Sequence, residues 1–104
     1  MKEIGRSGVE AYLKKAVAAA GGQTRKWVSP GRKNVPDQIV IWPTYFNGKP
    51  VPAEAEVHFV ETKAPGKKAR GGQAREHKRM RDLGCFVFVL DTKEKIDAYV
   101  ETNA

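Results

Sequence analysis

The sequence predicts an α/β fold: a mixed sheet flanked by helices on both faces, in the order α-β-β-β-α-β-α. Three observations predict it. Apolar residues recur at three- and four-residue steps near the N-terminus. Short apolar runs follow at 38–42 and 57–60. A basic stretch of helix length then separates the second of these from another apolar run at 85–90. Strands joined by turns and followed by a strand–helix–strand crossover make the sheet mixed. The 104 residues argue for a single domain over 1–104. A core that small is marginally stable, so oligomerisation would help it.

Residues 3–20 read as the first helix, with Val9, Tyr12, Leu13, Ala16, Val17 and Ala20 on one stripe and Ile4 at its start. Gly21 and Gly22 stop it. Glu10 admits two readings here: a capping-box partner for Ser7, or a solvated side chain. Residues 23–29 fit a strand containing Thr24, Trp27 and Val28, and 30–34 a basic turn. Residues 38–42 are a strong strand signal, and Asp37 sits at its mouth after Pro36. Three prolines and Asn47-Gly48 make 43–55 a loop or loose hairpin. Residues 56–64 form the next strand, ended by Pro65-Gly66. A helix over about 71–83 follows, with Met80 and Leu83 as apolar anchors and Leu83-Gly84 as its close. Residues 85–90 are apolar throughout, as expected of a strand buried on both faces. Asp91-Thr92 can cap a last helix over 92–102, with Ile96, Tyr99 and Val100 inward.

The net charge is +7 and the isoelectric point about 9.7. That balance favours an anionic partner, nucleic acid first and an anionic membrane second. No apolar run approaches the ~18 residues of a transmembrane helix, and the N-terminus lacks the apolar segment of a signal peptide. Cys85 is the single cysteine, which excludes an internal disulfide; with two histidines it also excludes a zinc finger. A reducing cytoplasm is the expected setting. From Lys63 to Arg81 there are eight basic residues and one acidic residue, Glu76. Without alternating acid–base pairs, that run reads as a contact for the phosphate backbone of DNA rather than as a solvated helix face.

Glu61 and Lys63 lie two apart on a strand, so their side chains share a face. If the strands carrying Asp37 and Glu61 are neighbours, the two carboxylates converge and repel unless a cation separates them. Hard oxygen donors without thiol or imidazole favour Mg²⁺ or Mn²⁺ over zinc. Such an ion could bridge a scissile phosphate and an attacking water, with Lys63 steering the water or stabilising developing charge.

The combination Val35-Pro36-Asp37 and Glu61-Thr62-Lys63 resembles the signature of the PD-(D/E)XK nuclease superfamily. The longer string from Val60 through Glu61-Thr62-Lys63-Ala64-Pro65-Gly66, with Gln73, His77 and Leu83-Gly84 downstream, resembles the VRR-NUC (virus-type replication-repair nuclease) family, in its stand-alone phage and bacterial form. The resemblance implies a restriction-endonuclease-like α-β-β-β-α-β core plus a C-terminal helix. It implies Asp37, Glu61 and the backbone carbonyl of Thr62 as metal ligands, Lys63 as the catalytic lysine, and Glu10 as a further acid at the metal. Gln73 would orient the site or a phosphate. Lys67, Lys68, Arg70, Arg75 and Arg79, with His77 beside them, would meet DNA. On the residues alone, His77 only packs or hydrogen-bonds near Met80.

The resemblance further implies a homodimer cutting branched DNA such as four-way junctions, for which two-fold-related sites are suited. With no accessory domain expected, substrate choice would fall to this domain. Nicking or flap cleavage, and a non-catalytic DNA-binding module, are the competing readings. His58 faces away from Glu61 and is expected to be structural. Trp27, Trp42, Tyr45 and Phe46 are assigned to the core or to a subunit contact.

Overall fold

The computed structural model describes residues 5–104. Residues 3 and 4, including Ile4 of the expected first helix, lie outside them. Helix α1 (Arg6–Ala19) is followed by strands β1 (Gln23–Lys26), β2 (Gln38–Trp42), β3 (Tyr45–Phe46), β4 (Lys49–Pro50) and β5 (Glu56–Thr62). Helix α2 (Gly71–Asp82), strand β6 (Phe86–Leu90) and helix α3 (Lys93–Asn103) complete the chain. The main sheet has the order β1-β2-β5-β6. β1 and β2 are antiparallel, β2 and β5 antiparallel, and β5 and β6 parallel. The parallel pair requires a crossover, and α2 supplies it. The expected mixed sheet is therefore present. The 43–55 segment carries the small antiparallel hairpin β3–β4, turned at Asn47-Gly48, both at positive φ.

Strand alternation divides the side chains between two faces. Val40, Trp42, Val60 and Leu90 pack with Val9, Leu13 and Val17 of α1 and Ile96 and Tyr99 of α3. This is the main core. Gly22 permits it: a Cβ there would stand 2.8 Å from both Trp42 and Val17. His58 lies in the same layer, fully enclosed, with Nδ1 2.6 Å from the Tyr99 hydroxyl and aromatic contacts to Phe86, Phe88 and Tyr99. Burial raises the Tyr99 phenol to about 12. The structural role expected for His58 holds. The opposite face receives α2, which packs against β6 and buries Met80, with Val87 buried in that strand.

Several sequence expectations fail at the edges. Leu83 is 85% exposed rather than an anchor of α2, because the helix ends at Asp82 and the chain turns away at Gly84. β6 is not buried on both faces along its length: Phe86 is exposed where the strand enters the sheet edge. The same holds for Val57 at the start of β5. Trp42 joins the core, whereas Tyr45 and Phe46 stand exposed on the hairpin. α1 starts at Arg6 with Gly5 before it and no side-chain cap, so Ser7 does not cap the helix and Glu10 is not its capping partner. Among the described residues, no helix is long and apolar enough to cross a membrane.

Candidate active site

β2 begins where β5 ends. Gln38 pairs with Val60, so one step further along the antiparallel register sets Asp37 opposite Glu61. Asp37 is anchored from β5: Thr62 donates its backbone N–H to Oδ1 at 2.8 Å and its hydroxyl to Oδ2 at 2.6 Å. The Asp37 carbonyl in turn accepts from Trp27 N–H at 2.9 Å, tying β1 to the same corner. Pro36, just before it, is buried, and its ring fixes its own φ where the chain enters the strand. A residue that sequence alone makes a turn aspartate is thus held rigidly at a strand end.

Glu61 is 3% exposed. The nearest cation shown for it is Lys63, with Nζ 3.6 Å from Oε2. Burial, and then the neighbouring Asp37 carboxylate, push the Glu61 carboxyl up to about 7, against the weaker pull of Lys63 and Arg6. The ammonium of Lys63 is shared: it donates to Gln73 Oε1 at 2.7 Å. The same oxygen accepts the Arg70 backbone N–H at 3.1 Å, so Gln73 closes the first turn of α2 and holds the lysine at once. Lys63 also continues the ladder, its N–H bonding Leu90 carbonyl at 3.1 Å.

Asp37, Glu61, Thr62, Lys63 and Gln73 are therefore brought together. Two buried carboxylates opposed across a strand pair, with Glu61 short of positive charge, suit a hard divalent cation; Mg²⁺ commonly takes only one or two protein carboxylates and fills its remaining positions with water and substrate. Glu10 is not brought into that set. Gln38 Nε2 donates to its Oε1 at 2.7 Å and Lys26 Nζ lies 3.5 Å from it. Among the described residues, no group of three or more His, Cys, Asp and Glu side chains gathers for a metal.

The basic residues divide. Lys67, Lys68 and Arg70 are exposed on the loop between β5 and α2, and Arg75 on the helix. The Lys67 N–H bonds Ala64 carbonyl, and Gly66 N–H bonds Asp91 Oδ2, so this loop has a defined shape. Arg79 instead pairs with Glu76 at 3.1 Å. His77 corrects the sequence expectation: it is 1% exposed, enclosed under α2 and out of reach of a DNA phosphate. Its burial lowers its pKa, and its Nε2 has no hydrogen-bond partner.

Three residues here escaped sequence reading. Arg32 donates to both oxygens of Glu76 at 2.8 Å, linking the 30–34 turn to α2 and holding the Glu76 carboxyl down at about 2. Gln38 carries Glu10 at the strand mouth. Arg6 donates from Nη2 to Asp37 Oδ2 at 2.8 Å and from Nε to the Thr62 carbonyl at 3.3 Å. Its one legible signal is its position one helical turn before Glu10.

No family model matches the chain. Over 94 residues it is 43% identical to "Putative nuclease p44" of Acyrthosiphon pisum secondary endosymbiont phage 1, an alignment covering 90% of each protein. A solved structure of a VRR_NUC domain is similar with a TM-score of 0.76 and 33% identity, over 97% of this chain and 100% of that one.

Proposed function

Because the chain belongs to the VRR-NUC family, we propose that it is a DNA endonuclease dependent on Mg²⁺ or Mn²⁺. The observation that carries this reading is the junction of β2 and β5, where Asp37 and Glu61 are opposed and Lys63 is held by Gln73. Asp37, Glu61 and the Thr62 carbonyl would hold the ion. When bound, it supplies positive charge to the phosphate and lowers the pKa of water nearby.

The chain's own residues do the rest. Thr62 fixes both oxygens of Asp37, so that ligand arrives oriented. Gln73 restrains the Lys63 ammonium and leaves it donors for a phosphate oxygen or an attacking water. Glu10 acts behind this group, through Gln38, rather than as a direct ligand. Lys67, Lys68, Arg70 and Arg75 contact the DNA backbone, which gives affinity without base reading. A homodimer selective for branched DNA is the substrate reading adopted, since paired sites match a symmetric junction.

Incubation with supercoiled plasmid and with a four-way junction, in Mg²⁺ or Mn²⁺, tests it. Wild type is expected to leave 5′-phosphate and 3′-hydroxyl ends and to prefer the junction. Asp37→Ala, Glu61→Ala and Lys63→Ala are expected to lose cleavage; if they cut like wild type, the assignment of these residues is wrong. DNA binding without cleavage in any divalent metal would instead indicate a non-catalytic module.

A further inference from the structure

Arg6 is placed against the usual electrostatics of a helix. It is the first residue of α1, where the positive end of the macrodipole disfavours a cation. No acidic residue lies in that first turn. Its side chain is 50% exposed, so packing does not hold it there either. What it meets is the strand junction: the guanidinium lies 2.8 Å from Asp37 Oδ2 and 3.3 Å from the Thr62 carbonyl. These are an anionic oxygen and a peptide oxygen on adjacent strands, both assigned above to the metal.

We propose that Arg6 is the resident counter-cation of the metal site, holding the Asp37 and Thr62 oxygens in the metal-free protein and exchanging with the divalent ion on loading. The inference rests on the reading of Asp37 and Glu61 as metal ligands. A guanidinium is planar and offers several donors, so one side chain spans both oxygens. It holds the Asp37 side chain in place beside a second buried carboxylate. The half-exposed stem lets it withdraw into solvent without opening the core. Arg6 is thus a positioning residue whose attachment opposes metal binding. A merely structural ion pair makes the opposite prediction, because loosening the site would weaken the metal.

Direct Mn²⁺ binding separates the two, followed by calorimetry and by the electron paramagnetic resonance of free Mn²⁺, without DNA. Arg6→Met removes the charge and keeps an apolar stem. It is expected to bind Mn²⁺ roughly tenfold tighter than wild type, an interval that corresponds to about one charge-assisted hydrogen bond. Arg6→Lys, which keeps the charge but not the planar fork, is expected to fall between them and guards against a folding defect in the first variant. Thermal unfolding in EDTA is expected to place Arg6→Met below wild type, with the gap closing in saturating Mn²⁺. Asp37→Ala serves as the control without a site. If wild type binds Mn²⁺, Asp37→Ala does not, and both Arg6 variants bind equally or more weakly than wild type, the exchange is overturned while the metal reading stands. If neither wild type nor either Arg6 variant binds Mn²⁺, the metal reading and the exchange fall together.

Discussion

Gln73 Oε1 accepts the Lys63 ammonium at 2.7 Å while also accepting the Arg70 backbone N–H at 3.1 Å. One oxygen thus joins the end of β5 to the start of α2. The helix start and the position of the lysine are the same structural event.

Lys63 and Gln73 are expected to act as a unit in cleavage. Lys63→Ala should lower the rate by about 10²–10⁴-fold, the range for a positioned proton-transfer or charge-stabilising group. Gln73→Ala should cost less, because the ammonium remains but is free to rotate. In the double variant the losses should be far from additive, since Gln73 works on Lys63. Single-turnover kinetics on a junction substrate reads all three. Full additivity would separate the two residues.

Glu61 makes metal-free stability depend on pH. Its folded-state pKa of about 7 lies above its ordinary value, so the folded form binds the proton more tightly than the unfolded form. The cost of burying its charge is absent below the ordinary value of 4.5, grows as pH rises, and is complete above about 7. At full ionisation it is roughly 3 kcal/mol at most. Glu61→Gln in EDTA should therefore be more stable than wild type at pH 8, with the difference vanishing towards pH 4.5. Urea unfolding across that range measures it. A gap independent of pH would mean that Glu61 does not carry the penalty.

Glu76 works in the other direction. Its carboxyl is held down at about 2, chiefly by Arg32, so it stabilises the fold above 4.5 and that contribution is lost as pH falls towards 2. Arg32→Ala should destabilise the protein at neutral pH by leaving a buried carboxylate with Arg79 as its remaining partner. The difference from wild type should narrow as the solution is acidified through that window. Thermal unfolding at several pH values would show it.

Replacing Lys67, Lys68 and Arg70 together with Gln should weaken DNA binding and flatten its salt dependence. Each lost phosphate contact reduces the slope of log K against log salt by about 0.9 on duplex DNA. A reduction of about 2–3 is expected for the triple variant. His77→Gln, at an enclosed position, should leave the slope unchanged. Fluorescence anisotropy titrations at four salt concentrations would distinguish these outcomes.

The sequence by itself determined most of the architecture and the heart of the site. Period-three-to-four apolar residues marked α1, short β-branched runs marked β2 and β5, and Glu61 and Lys63 had to share a face because strand side chains alternate. Asp37, Thr62 and Gln73 were legible through the resemblance of their motif to that of a nuclease family. These are signals written locally along the chain. The tertiary structure alone decided what depended on distant segments meeting. It buried His77, which the family resemblance had set among the DNA contacts. It drew Glu10 to Gln38 instead of to the carboxylate pair. It took Arg79 and Arg32 out of the free positive charge by turning both onto Glu76. It also set Arg6 on Asp37, 31 residues away in sequence. Long polar side chains reach many partners, and periodicity records only which face they start from. Which oppositely charged group they reach is fixed by the packing of strands and helices around them.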